Sequence, residues 1–163
     1  MKKTNKGFSM VELIIVIAIM AILAGALAPA LIKYINKSRI STDIQTAQTI
    51  ATAMTTALSD ENGYDAASNQ TSVADVSDIF DTGANADAFM AAFTNACGGT
   101  SAPQTKASKC MAKTTPTSFT KGSFKYTLEK ETSTIKIYEP DGKHQLYPEA
   151  SGCLTDATKT CPQ

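Results

Sequence analysis

At 163 residues the chain has room for one modest domain and one special segment, and two large domains are excluded. Lysine plus arginine and aspartate plus glutamate stand at 15 each, so net charge offers no general attraction to nucleic acid. Apolar residues crowd the first third, while Ser, Thr, Asn, Gly and Lys dominate the rest, a division that points to lipid first and water second.

The first predicted element is a membrane-spanning helix. From Leu13 to Ile32 no residue carries a formal charge, and at ~1.5 Å per residue this stretch spans roughly 30 Å, the thickness of a bilayer's hydrocarbon core. Lys2, Lys3 and Lys6 precede it, which favours a cytoplasmic N-terminus and an extracytoplasmic polar remainder; Lys33, Lys37 and Arg39 at the other end weaken that bias. A cleaved secretory signal is an alternative, since Ala26-Leu27-Ala28 has the small-x-small form of a cleavage site. Against it stand Pro29, whose ring hinders an extended chain after the cut, and Glu12 at the head of the apolar run. A plain anchor explains the length but not Glu12, because an ionisable group at mid-membrane costs about 2.5–3.5 kcal/mol and usually marks function.

Lys6-Gly7-Phe8-Ser9-Met10-Val11-Glu12-Leu13 resembles the processing site of type IV prepilins and pseudopilins. The resemblance combines a basic leader, Gly7, Phe8, Glu12 four residues after Phe8, the apolar run, and Pro29 where family helices carry a proline. Ser9 and Met10 replace the commoner Thr-Leu, and the likeness extends over roughly the first 35 residues. It implies removal of residues 1–7 by a membrane peptidase, methylation of the freed Phe8 amine, and assembly on a pilus platform into a homo-oligomeric filament. It also implies that the Phe8 ammonium pairs with Glu12 of a neighbouring subunit and so sets axial register. Chemistry agrees: glycine before the cut lies close to a protease backbone without a Cβ, and a buried carboxylate demands its partner at one offset. The expected course is a single-pass membrane protein that becomes part of an extracellular pilus serving adhesion, motility or surface attachment. A pseudopilin of a secretion or DNA-uptake machine is the alternative.

Gly25 and Pro29 each weaken helical hydrogen bonding, so a kink or local stretch is expected between them. Beyond the membrane, Ile40, Ile44, Ala47, Ala51, Met54 and Leu58 recur at alternating steps of four and three, which predicts an amphipathic continuation laid against a head. Lys37, Arg39, Asp43 and Gln45 are expected to face outward, and Asn62-Gly63 to stop the helix. The domain reading is therefore 1–7 leader, 8–35 membrane or filament-core helix, 36–62 amphipathic helix and 63–163 globular head.

In the head, short helical patches are expected over 73–80 and 86–96, the second closed by Gly98-Gly99. Phe124, Tyr126 and Leu128, then Ile135 and Ile137, alternate with polar residues around a Glu131-Thr132-Ser133 turn and predict an antiparallel hairpin. Pro140-Asp141-Gly142 makes another turn, with a third strand over 145–147. The fold class is thus α+β, a long N-terminal helix with a small antiparallel sheet. Cys97, Cys110, Cys153 and Cys161 suggest two disulfides in an exported domain, with loop closure favouring Cys97–Cys110 and Cys153–Cys161. The latter resembles the C-terminal disulfide loop of many pilins.

No metal or cofactor is expected. There is no CxxC, His144 is the sole histidine, and Asp75, Asp78 and Asp81 lack the glycine-containing loop of a calcium site. One histidine and no HExxH or phosphate loop also argue against an enzyme. Lys121, Lys125 and Tyr126 read as a solvated strand in preference to a nucleic-acid surface, and Asn69-Gln70-Thr71 fits a glycosylation acceptor pattern.

Overall fold

The computed structural model describes residues 8–80, 87–99, 101–107, 121–156 and 158–159. Their contacts divide into two compact units, Met1–Ile35 and Asn36–Gln163. Helix α1, Met10–Ser59, contributes to both and continues through Gly25 and Pro29 without interruption. The expected irregularity at those two positions does not break the helix. In the first unit every described residue is exposed.

The second unit is built on the apolar stripe of α1. Ile40, Ala47, Ile50, Ala51, Ala53, Met54, Ala57 and Leu58 are buried, with Ile44 partly buried beside them. This is the expected stripe, widened by Ile50, Ala53 and Ala57. Small alanines let the opposing layer approach closely, and the larger side chains fill the spaces between.

That layer is a four-stranded antiparallel sheet in the order β1-β2-β3-β4: β1 Gln70–Asp75, β2 Lys125–Glu129, β3 Thr134–Tyr138 and β4 Gln145–Tyr147. The hairpin pairs Tyr126 with Ile137 and Leu128 with Ile135, so the alternating apolar residues share one face and enter the core with Phe124 and Leu146. Ser133, at φ 50, supplies the left-handed residue of the turn. The arrangement is α+β, as expected, with β1 as an addition.

Two helical expectations are corrected. Residues 73–80 do not form one helical patch: 73–75 belong to β1, and only Val76–Ile79 coil, as a 3-10 turn that buries Val76 and Ile79. Its entry is fixed by backbone bonds to β2's approach, with Val76 N–H donating to the Phe124 carbonyl at 2.8 Å. Nor does Gly63 stop α1. The helix ends at Ser59, and Asp60 caps a new short helix α2, Glu61–Ala66, by accepting the Gly63 N–H at 3.0 Å. Gly63 is needed for close approach, because a Cβ there would stand 2.3 Å from the Ala57 carbonyl oxygen.

Helix α3, Ala88–Cys97, follows its sequence signals closely. Asp87 caps it by accepting the Met90 N–H at 2.8 Å, and Gly98 ends it at φ 65. It packs Phe89 and Phe93 into the core, where Phe93 stacks on Phe89 and meets Phe80 edge-on. A final turn of helix, α4, Gly152–Thr155, buries Cys153 and Leu154. Ser151 ties it to β4 by donating its N–H to the Gln145 carbonyl at 2.7 Å and accepting the Gln145 N–H on its hydroxyl at 2.9 Å.

Candidate functional site

The first candidate site is the apolar segment itself. Phe8 stands just before α1 and is 87% exposed, while the Ser9 carbonyl accepts the Leu13 N–H at 3.2 Å and starts the helical ladder. Glu12 lies in the first turn, where the positive end of the helix dipole favours an anion. Its carboxylate is exposed and makes no ion pair with any described residue, so the first unit leaves it available to another chain. Gly7, the residue before the expected cut, lies outside the described residues. At Gly25 a Cβ would find nothing within 4 Å, so nothing in the single chain requires glycine there.

From Leu13 to Ile35 the exposed side chains include a nearly continuous set of Leu, Ile, Val and Met. Leaving one large apolar side chain in water forgoes about 1.5–3 kcal/mol. A whole helix of them is incompatible with an aqueous surface, and α1 is long and apolar enough to cross a membrane. Residues 2–28 match the family model of the prokaryotic N-terminal methylation motif. The chain carries a prepilin-type methylation motif. That motif is the hallmark of type IV pilin and pseudopilin precursors, and it implies processing by a prepilin peptidase and service in a pilus or a secretion machine. No curated protein and no solved structure matches the chain. The matched span contains Gly7, Phe8, Glu12 and Gly25 of the prepilin-type segment, and Pro29 falls one residue beyond it.

The head holds a second constellation that sequence reasoning missed. Asp43, expected to face outward, is fully buried. Its Oδ1 accepts the Lys106 N–H at 2.8 Å and its Oδ2 the Ala107 N–H at 2.7 Å, so one carboxylate fastens an otherwise irregular segment to α1. Burial pushes the Asp43 carboxyl up, against the opposing pull of those two backbone bonds and of Lys106 and Lys121. The signal was present: Asp43 stands three residues after Ile40 and four before Ala47, on the apolar stripe.

Glu139, whose carboxyl feels the charge of Asp43, and His144 are also fully buried. Glu139 follows β3, and the turn after it is closed by Gly142, at φ 70, whose N–H donates to the Glu139 carbonyl at 2.8 Å. Asp141 accepts the N–H groups of Lys143 and His144 and pairs with His144 Nδ1. Although its own burial opposes ionisation, these bonds and the imidazole hold the Asp141 carboxyl below its ordinary range.

The remaining candidates are placed as follows. Cys97 and Cys153 are free thiols, while Cys110 and Cys161 lie outside the described residues. The expected disulfides and the C-terminal disulfide loop are therefore not supported. Cys153 instead acts as a small apolar core side chain, and burial raises the Cys97 thiol to about 11. Asp81 lies outside the described residues, and Asp75 belongs to β1. Tyr126 is buried, so its ring is not available for base stacking beside Lys125. Asn69 accepts the Lys130 N–H at 2.7 Å and so holds the start of β1 to the hairpin turn.

Proposed function

We propose that the chain is a structural subunit of a type IV pilus, cut between Gly7 and Phe8, methylated on Phe8, and polymerised through α1. What carries the reading is the conjunction of the methylation motif with an apolar stretch of α1, up to residue 35, that is exposed throughout and whose Glu12 has no ion-pair partner among the described residues. In a membrane the helix is a lipid-held store of subunits. In a filament, copies of the same helix replace the lipid, and the Phe8 ammonium of one copy meets Glu12 of the next. That pairing sets register more than strength, since an intact buried pair adds little net stability while a lone buried carboxylate is strongly unfavourable.

The head supports the assignment by its construction. Its core rests on the amphipathic half of α1, so a filament built from α1 would carry the sheet with it. A pseudopilin shares the motif, and the two are separated by where the polymer accumulates. Mass analysis of the mature protein from its host is expected to show a chain starting at methylated Phe8; a start at Met1 or Pro29 would refute the processing. Electron microscopy of sheared surface fibres is expected to show this chain as their subunit, and its absence from them favours the pseudopilin.

A further inference from the structure

Glu139 is held by its backbone on both sides: its N–H donates to the His144 carbonyl at 2.9 Å, and its carbonyl accepts the Gly142 N–H at 2.8 Å. Glu139 is 0% exposed, and neither carboxyl oxygen has a hydrogen-bond partner among the described residues. The charged groups around it come from several elements. Asp43 from α1 and Asp141 from the turn act on Glu139 itself. Lys106 and Lys121 act on Asp43, which also receives the two backbone bonds, and His144 pairs with Asp141. Cys153 of α4 is a further titratable group that senses Asp141. The two groups whose charge bears on Glu139 are thus both carboxylates, Asp43 and Asp141.

We propose that Glu139 is a proton-operated latch in the head: as the neutral acid it allows the 140–144 turn to stay closed, and on losing its proton it forces that turn open. The geometry leaves few other outcomes. An ionised carboxylate enclosed without donors is strongly unfavourable, two like charges nearby make it worse, and the cheapest relief is hydration through the turn. Burial, then Asp43, then Asp141 push the Glu139 carboxyl up to about 8. Because the folded value is raised, the stability that Glu139 contributes is full below its ordinary value of 4.5 and is lost as pH rises through about 8. Within that window the folding constant falls roughly tenfold per pH unit. Asp141, held low, acts only in acid, and Asp43 keeps two N–H donors when ionised, so opening at alkaline pH belongs to Glu139.

Amide hydrogen exchange on the full-length chain in detergent tests this, with protection corrected for the intrinsic pH dependence and referenced to Ala51 in α1. Protection at Gly142 and Glu139 is expected to fall at least tenfold between pH 6 and pH 9, and to be flat in Glu139→Gln. An infrared difference spectrum between parent and variant at pH 6 is expected to show a protonated carboxyl band. Equal loss of protection in parent and variant, flat protection in the parent, or a carboxylate band at pH 6 would each overturn the latch. Should Glu139→Gln fail to fold, Glu139→Met removes the ionisable group with similar length, and the infrared band is read on the parent with isotope-labelled glutamate.

Discussion

Replacing Asp43 by leucine isolates the contact that fastens residues 105–107 to α1. Leucine matches the branching of the aspartate side chain and suits the surrounding stripe, although its methyl groups are bulkier than carboxylate oxygens and add some overpacking. What is lost is the acceptor for two N–H groups. The Lys106 N–H belongs to an exposed residue and can turn to water at little cost, but Ala107 is 0% exposed and its N–H would be left buried without a partner. An orphaned buried donor costs about 1–3 kcal/mol, and loss of a hydrogen bond to a charged group is at the upper end of that range. Relief of the desolvation that raises the Asp43 carboxyl offsets part of this. The expected net loss is about 2 kcal/mol, which for a chain of this length lowers Tm by about 4–8 °C. Thermal unfolding of the full-length chain in detergent, followed by near-ultraviolet circular dichroism, measures the loss. Amide exchange at Ala107 should quicken in step. Asp43→Asn keeps one acceptor oxygen and should fall between parent and leucine. If Asp43→Leu unfolds within about 0.5 kcal/mol of the parent, the carboxylate is not what holds the segment, and the reasoning is wrong.

Two further outcomes follow from the same structure. Gly63→Ala should destabilise despite alanine's better helix propensity of ~1 kcal/mol, because the new Cβ would lie 2.3 Å from the Ala57 carbonyl oxygen. Overpacking of this kind costs about 1–3 kcal/mol, so urea unfolding should show a lower midpoint, and an unchanged or higher one refutes the close approach. Asp141 titrates in the opposite sense to Glu139: its folded value is lowered, so its stabilisation is present above the ordinary value of 3.8 and disappears as pH falls through the folded value. Asp141→Asn should lose roughly 1.5–3 kcal/mol at neutral pH and show a flatter acid limb in stability against pH, and a parent-like acid limb would count against the assignment.

Much of the architecture was legible because it rests on periodicity and local chemistry. The hairpin register follows from alternation, since shifting the pairing of Tyr126 and Ile137 by one residue would turn the apolar face to water. The C-terminal end of α3 follows from Gly98, whose role depends only on the adjacent backbone. Strand β1 was not legible. Its residues are largely exposed and Val73 is its one large apolar side chain, so it is a strand because the edge of β2 supplies hydrogen bonds, a condition no local pattern announces. The Asn62-Gly63 stop misled for a similar reason, as glycine serves both left-handed turns and close contacts, and the Ala57 carbonyl that decides between them belongs to the preceding helix.

By itself the sequence determined the segment that defines the protein's surroundings: an uncharged run from Leu13 to Ile32 behind Gly7-Phe8 and Glu12 needs no tertiary contacts to be insoluble in water and recognisable as a methylation motif. Only the tertiary structure decided the fate of Asp43 and Glu139. A carboxylate's role depends on which donors and charges the fold brings to it: Asp43 takes its donors from residues 106 and 107, and Glu139 meets the charge of Asp43, both distant along the chain and brought together only by folding.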